Sequence, residues 1–390
     1  MKAKKIIINI LLILIIIYFA QGAFYPTGSI ISRTSLLLII LISGVYWIKS
    51  LLLKSPKSGY YIAWTILLLV NILGYIFTGD PTSDFNFGEI KNILSVALPF
   101  YPFYYFSKRG EIQKKRLIWF FIIMLIVSIA DYTFNRNLII SQRYLYNDDL
   151  VNNVSYNFVR LIPFVMLFKD KKTISMVLSL IIMFFIIQGA KRGAIVSGIV
   201  GFIFIAYFHL KTIDKKHKNR NTIIVVLGVI LLGVVGYKYF QQNEFLIQRM
   251  QLMVDGDSSG RDIIYPNLFN AWFNSDSFKI LLFGHGFGSS ITLSGTGNMA
   301  HNDWLEILSS LGIIGVFIYF CLFIVAIKIP LKEHWEIDKK IIMYTIVSLW
   351  FFISMFSMFY NNPSSLILTI LFGYLIGFHS NNKYENTSVR

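Results

Sequence analysis

The side chains best suited to chemistry lie in one polar region, in the glycine-rich stretch Gly284–Gly288 and in His301 a little further on. Histidine changes its charge near neutral pH, so it is the usual proton acceptor in catalysis. We expect Asn302 or Asp303 to cap the helix that follows, with Glu306 in its first turn. His301 would then lie beside a helix N-terminus, where the positive potential keeps the imidazole neutral, as a general base requires. The alternative is that His301 is a structural surface histidine.

Two acids in the same segment raise the question of a metal site. His301, Asp303 and Glu306 are spaced i, i+2 and i+5, and this spacing does not place all three on one face of a helix. We therefore predict no metal site. The glycine-rich stretch lacks the strand–turn–helix context of a nucleotide-binding loop. Its glycines, with Gly286 and Gly288 as candidate substrate-binding positions, instead fit a backbone turn that lets a substrate approach closely.

Cationic side chains form a second candidate group. Arg160, Lys191 and Arg192 lie near the ends of apolar segments, and Arg261 lies at the start of a predicted amphipathic helix. The planar guanidinium of arginine suits bidentate binding of phosphate. Several such arginines near a lipid surface would fit a pyrophosphate carried on a lipid. The alternative for Lys191 is that its long side chain simply extends to the membrane surface, as lysines near helix ends commonly do.

The composition indicates an integral membrane protein. Of the 390 residues, 55% are hydrophobic and only 14% are charged, whereas soluble domains carry about 25% charged residues. Apolar segments with the length that a membrane-crossing helix needs recur along the chain. We predict an all-α multi-pass fold with about twelve transmembrane helices, at residues 5–24, 34–53, 60–78, 92–106, 117–134, 154–168, 173–189, 193–210, 222–240, 305–328, 340–360 and 364–378.

Topology explains the positive charge of the chain. The net charge of +16 is by itself typical of nucleic-acid-binding proteins. However, the Lys and Arg residues concentrate in alternate connecting loops, and such loops face the cytoplasm in membrane proteins. We therefore predict that both termini are cytoplasmic and that nucleic acid is not a partner.

One connection is much longer than the others. We divide the chain into an N-terminal transmembrane bundle of about nine helices (1–240), an external loop that carries candidate catalytic residues (241–303), and about three C-terminal helices with a cytoplasmic tail (304–390). A loop of this length in a compact bundle is usually functional. We predict two amphipathic helices on the membrane surface, Phe245–Val254 and Asp262–Phe273, joined by a turn-rich hinge. A second outer loop is predicted at residues 135–153.

Four local patterns occur in a characteristic order and spacing. They are Gln188–Ala194 at the start of a helix, Ser259–Arg261 before an amphipathic helix, the glycine-rich Phe283–Gly288, and His301–Glu306 leading into Gly312–Gly315. Together they resemble the O-antigen ligase/polymerase family of bacterial envelope glycan assembly. The resemblance extends over about residues 185–330, and each pattern is weaker alone than the set.

The resemblance implies a metal-independent, inverting glycosyltransferase with a GT-C-like fold and no cofactor, acting at the outer face of the bacterial cytoplasmic membrane. Its donor and acceptor would be oligosaccharides on undecaprenyl pyrophosphate. By matching motif, Arg192 and Arg261 would hold the donor pyrophosphate, and His301 would deprotonate or orient the acceptor hydroxyl. Arg160 is assigned to the pyrophosphate region by its depth and charge alone. The remaining candidates for substrate binding are Lys191, Gly286, Gly288 and Asn302. Membrane lipids and a chain-length regulator protein are further expected partners.

The shared site leaves the acceptor open. We favour a polymerase that joins repeat units into O-antigen or capsular polysaccharide. The first alternative is a ligase that transfers the finished glycan to a lipid A core or a protein. The second alternative is a flippase for lipid-linked oligosaccharides, which would place charged groups through both halves of the bundle. Here the charged groups inside the apolar segments lie on one side, which favours the enzyme.

Overall fold

The computed structural model describes residues 2–53, 56–146, 152–212, 218–242, 247, 251, 260–332 and 335–388. These residues are helical and contain no β-strand. The first ten helices are α1 (Lys2–Phe19), α2 (Ile30–Leu51), α3 (Gly59–Thr78), α4 (Asp84–Ala97), α5 (Phe100–Lys108), α6 (Lys114–Tyr146), α7 (Ser155–Val165), α8 (Lys172–Gln188), α9 (Arg192–Lys211) and α10 (Lys218–Gln242). The others are α11 (Arg261–Phe273), α12 (Phe278–Phe283), α13 (Ser290–Leu293), α14 (Asp303–Lys332), α15 (Ile337–Phe356) and α16 (Leu366–Ser388).

The all-helical membrane architecture predicted from the composition is confirmed. Within the described ranges, seven helices are long and apolar enough to cross a membrane, and four shorter apolar helices accompany them. The total of twelve, the GT-C-like fold, the three-part division of the chain and the orientation in the membrane stay predictions.

Several boundaries differ from the predicted ones. The predicted segment 92–106 consists of two helices, α4 and α5, that meet at Leu98 and Pro99. Proline lacks the backbone N–H that a continuous helix would use, and Pro99 and Pro102 account for the break. The predicted outer loop at 135–153 is also partly wrong, because α6 continues to Tyr146. Likewise, the predicted C-terminal tail is helical as far as Ser388.

A helix at the predicted position Asp262–Phe273 is confirmed as α11, whereas its amphipathic character is not found and its place on the membrane surface stays a prediction. It has two apolar faces. Ile264 and Leu268 are buried against Ala300, while Phe269 and Phe273 are exposed. The other predicted surface helix, Phe245–Val254, and the hinge after it lie outside the described residues.

The two ends of the bundle differ in chemistry. At one end lysines bind neighbouring elements: Lys169 Nζ lies 2.8 Å from Asp338 Oδ2, and Lys108 Nζ donates to Pro56 O at 2.6 Å. We call the opposite end, where α7, α9 and α14 begin and α15 ends, the loop end. All the candidate site residues that the structure describes lie at or near it.

A kink in α14 positions the loop end. Gly312 has φ 63° and ψ −162°, a backbone conformation open essentially only to glycine. The carbonyl of Ser309, whose helical partner would lie beyond this kink, accepts hydrogen bonds from His285 N (2.7 Å) and Ser289 Oγ (3.0 Å). Gly284 lies so close that a Cβ atom on it would be 2.6 Å from Ser309 O. The glycine-rich stretch therefore docks on the break in α14.

Replacing Gly312 with alanine should lower the melting temperature of the purified protein in detergent. A non-glycine residue in this backbone region costs about 1–3 kcal/mol, and the new Cβ would overlap Leu282 O. Gly44→Ala in α2 is the matched control, because a Cβ there meets no atom within 4 Å and alanine is favoured over glycine in a helix by about 0.5–1 kcal/mol. Equal melting temperatures for the two variants would contradict this account of the kink.

Candidate functional site

The N-terminus of α14 is capped by the residue next to the candidate base. Asn302 Oδ1 accepts hydrogen bonds from Trp304 N (2.9 Å) and Leu305 N (3.2 Å), which confirms Asn302 as the N-cap. Its Nδ2 donates to Met355 O at 3.1 Å. The cap thus fixes the start of α14 against the end of α15. Its substrate-binding role stays a prediction, since the amide is buried and already bonded.

Asp303 ties the same helix start to a second segment. The carboxylate is fully buried and accepts hydrogen bonds from Phe359 N (2.9 Å), Tyr360 N (3.3 Å) and Tyr319 Oη (2.6 Å). These donors satisfy the carboxylate without a cation. Asp303 therefore has a positioning role: it holds the chain that follows α15 beneath the start of α14.

Glu306 holds the segment before His301. Its carboxylate accepts hydrogen bonds from Ala300 N (3.0 Å) and from the Ser290 hydroxyl. Glu89 of α4 is buried close enough to Glu306 for the two carboxyl groups to interact electrostatically. Asn361 Nδ2 lies 3.5 Å from Glu89 Oε1. The sequence assigned Glu89 no role, because nothing in the pattern around it predicts that α4 lies under this loop.

His301 is held in an unusual backbone conformation. Of the non-glycine residues that the structure describes, only Ala190 (φ 52°) and His301 (φ 50°) have left-handed φ values. Such residues are uncommon, and they concentrate at functional sites where the surrounding structure enforces them. Ala190 immediately precedes Lys191 and Arg192, so both strained residues lie in segments that carry candidate site residues.

The surroundings of His301 favour the neutral imidazole. Partial burial, followed by the positive charges of Arg261 and Lys191, lowers the pKa of His301 below its ordinary value. The direction agrees with the prediction for a general base. The charges also place Arg261 and Lys191 in the electrostatic neighbourhood of His301, although they come from different helices.

Arg261 is anchored at the start of α11. Its Nη2 donates to Phe356 O, the last residue of α15, at 2.8 Å. Gly260 before it has φ 81° and turns the chain into the helix. Arg261 and Asn302 thus bind consecutive carbonyls, those of Phe356 and Met355, so one helix end positions both loop segments.

Arg160 reaches the same place from α7. It is 1% exposed, and its guanidinium carbon lies 5.7 Å from the ring centre of Tyr156. The charges of both Arg160 and Arg261 act on Tyr156. A Cβ atom on Gly193 would overlap the Tyr156 hydroxyl and lie 2.8 Å from Phe356 Cβ. The start of α9, where Arg192 is the first residue, is therefore packed against Tyr156 and the end of α15.

The glycines of the predicted substrate loop occupy a different environment. Gly286 and Gly288 are buried, and a Cβ on either would press against Thr78 or Asn86 respectively. Phe287 N donates to Thr78 Oγ1 at 2.9 Å. These contacts use the glycines for packing against α3 and α4, and a substrate-binding role for Gly286 and Gly288 stays a prediction.

No group of three or more His, Cys, Asp or Glu side chains among the described residues could hold a metal ion. His301 keeps part of its surface exposed, while Asp303 and Glu306 are fully buried and occupied by the hydrogen bonds above. The charges available for an anionic ligand are those of arginine and lysine.

Comparison with protein families decides what this site resembles. Residues 174–320 match the family model described as O-antigen ligase. The predicted resemblance is confirmed. The O-antigen ligase match includes Lys191, Arg192, Arg261, His301 and Asn302, and it begins after Arg160. It supports a membrane enzyme of the O-antigen ligase/polymerase type. No curated protein matches the chain.

Removing the charge of Arg261 should raise the pKa of His301. In Arg261→Gln one of the two positive charges that disfavour the imidazolium is lost, while burial, the larger cause, remains. The pKa should therefore rise toward 6.5 and stay below it. NMR titration of ring-labelled histidine in micelles measures this, with the signal assigned by His301→Gln. Arg109→Gln, near the opposite end of the bundle, is the control and should leave the value unchanged. A wild-type His301 that titrates at or above 6.5 would contradict the proposed environment.

Proposed function

We propose that the protein is a glycosyltransferase that polymerises oligosaccharide repeat units carried on undecaprenyl pyrophosphate, at the outer face of the cytoplasmic membrane. One observation carries the proposal. The start of α9, the start of α11 and the segment before α14 meet at the end of α15, which supports the assignment of Arg192, Arg261 and His301 to one site. All three residues fall within the O-antigen ligase match.

The arrangement suits displacement of a pyrophosphate. The acceptor hydroxyl oxygen attacks the anomeric carbon, the bond from that carbon to the phosphate oxygen breaks, and the pyrophosphate leaves with the bonding electrons. His301 accepts the proton of the hydroxyl, for which a neutral imidazole is needed. Arg192 and Arg261 stabilise the charge that develops on the leaving group. A direct displacement of this kind inverts the anomeric configuration.

Exposed aromatic side chains support a lipid-linked substrate. Phe269, Phe273, Phe278 and Phe283 are exposed on α11 and α12, the helices that follow Arg261 in the chain. Exposed aromatic side chains of this kind are typical of helices that lie in a membrane interface. A lipid-linked pyrophosphate would have its charged group at the depth of the arginines and its isoprenoid chain against such a surface.

The polymerase is distinguished from the ligase by its acceptor. Purified protein in nanodiscs, incubated with lipid-linked repeat unit alone, should produce a ladder of longer glycans on a gel, because the repeat unit serves as both donor and acceptor. A product that forms only after addition of a lipid A core or protein acceptor would replace the polymerase with the ligase. Movement of the lipid-linked unit across a vesicle membrane without any chain growth would instead favour the flippase.

Site variants test the assigned roles. His301→Asn should lower the polymerisation rate by about 10²–10⁴-fold, the usual contribution of a general base. Asparagine tolerates the left-handed backbone of His301, so the loss reports chemistry and not strain. Arg192→Ala and Arg261→Ala should each lower the rate by about 10²–10³-fold, since each removes a charge stabiliser.

Matched controls lie at the opposite end of the bundle. His379→Asn in α16 and Arg109→Ala after α5 make the same kinds of change away from the site and should keep the wild-type rate. Wild-type rates in all three site variants would refute the catalytic assignment.

A further inference from the structure

The deepest part of the site contains hydrogen-bond donors that the protein itself does not use. Arg160 is buried, yet its Nε and Nη2 have no hydrogen-bond partner in the part of the chain that the structure describes. Asp303 is near enough to interact electrostatically but is already bonded to Tyr319 and two backbone amides. A buried guanidinium with two nitrogens that lack hydrogen-bond partners is energetically costly unless a ligand accepts hydrogen bonds from them.

A tyrosine hydroxyl lies unused nearby. Tyr265 is one helical turn after Arg261, so the two side chains lie on the same face of α11. Its Oη is buried without a hydrogen-bond partner among the described residues, and its ring packs beside Ala300, the residue before His301. Tyr265 also interacts electrostatically with Tyr156.

Tyr156 joins these groups. It is 4% exposed, its ring faces the Arg160 guanidinium, and Arg160, Arg261 and Tyr265 all act electrostatically on its hydroxyl, which also has Ser357 within hydrogen-bonding reach. The hydroxyl itself lies against Gly193, beside Arg192. Donor groups from two helices thus lie close to one another: the guanidinium of Arg160 and the hydroxyl of Tyr156 from α7, and the hydroxyl of Tyr265 from α11.

We propose that Arg160, Tyr156 and Tyr265 form a buried subsite for one phosphate group of a diphosphate, with the two tyrosines as positioning residues. Such a set provides N–H and O–H donors and contains no acceptor carboxylate, which suits an anion with several oxygens. The second phosphate then lies toward Arg261 and Arg192. This inference depends on the proposed function for the identity of the substrate, but the anion subsite itself is independent of the glycan chemistry.

The test measures binding of inorganic pyrophosphate to purified protein in nanodiscs by calorimetry. Tyr265→Phe removes only the hydroxyl and should weaken binding about 10-fold, because one hydrogen bond to a charged group is lost. Tyr156→Phe should weaken it similarly. Tyr207→Phe is the matched control, since Tyr207 is exposed near the opposite end of α9 and should leave binding unchanged.

Activity measurements separate positioning from a structural role. In the glycan assay Tyr265→Phe should raise KM for the lipid-linked donor more than it lowers kcat, with an unchanged melting temperature. Arg160→Lys, which keeps the charge but loses the planar fork, should weaken pyrophosphate binding without unfolding the protein. Wild-type affinity for pyrophosphate in both tyrosine variants would overturn the subsite. If the tyrosine variants lose affinity while the wild-type protein extends no glycan, the subsite is supported and the proposed polymerase fails.

Discussion

Asp303 lies in the interior of the bundle, where an uncompensated carboxylate would be destabilised by several kcal/mol. Backbone amides of Phe359 and Tyr360 and the hydroxyl of Tyr319 compensate it, and Trp350 Nε1 donates to Tyr319 Oη at 2.7 Å. Removing any of these donors would leave the buried carboxylate without full compensation. The hydrogen bonds to Asp303 therefore hold the start of α14 and the chain after α15 together. This constraint also fixes the end of α15. The carbonyl groups there accept hydrogen bonds from the segments that carry Arg261 and His301, so the position of both segments depends on it.

The proposed site also has features that do not stabilise the fold. Among the described residues two non-glycine residues have left-handed backbone, and two guanidinium nitrogens of the buried Arg160 have no hydrogen-bond partner. Both are unfavourable in isolation. They become useful if the ligand is an anion, because donors that already point at it need no reorganisation when charge develops. The electrostatic cost of holding these buried donors unpaired is then the counterpart of transition-state stabilisation.

The sequence predicted what depends on local patterns. Hydropathy located the long helices, and the Asn302 cap and α11 followed from residue types at short spacing. What depends on tertiary contacts was missed. The glycines of Gly284–Gly288 suggested a substrate loop, but they dock on the Gly312 kink, α3 and α4. Glu89, Tyr156 and Tyr265 carry no motif, so only the fold could bring them to the loop end. Pro99 and Pro102 are a visible sequence signal for the break between α4 and α5. The prediction followed the continuous hydropathy of this segment instead and missed the break.

The proposed site has two sides that differ in burial. On the inner side lie Arg160, Tyr156 and Tyr265, whose polar groups are buried. On the outer side, the exposed segment Thr296–Asn298 precedes His301 in the chain and is polar. In the proposed function the donor pyrophosphate is common to a polymerase and a ligase, whereas the acceptor differs between them. A buried inner side and an exposed outer side would then let one catalytic arrangement serve different acceptors, because only the exposed polar segment would have to change with the sugar that it receives.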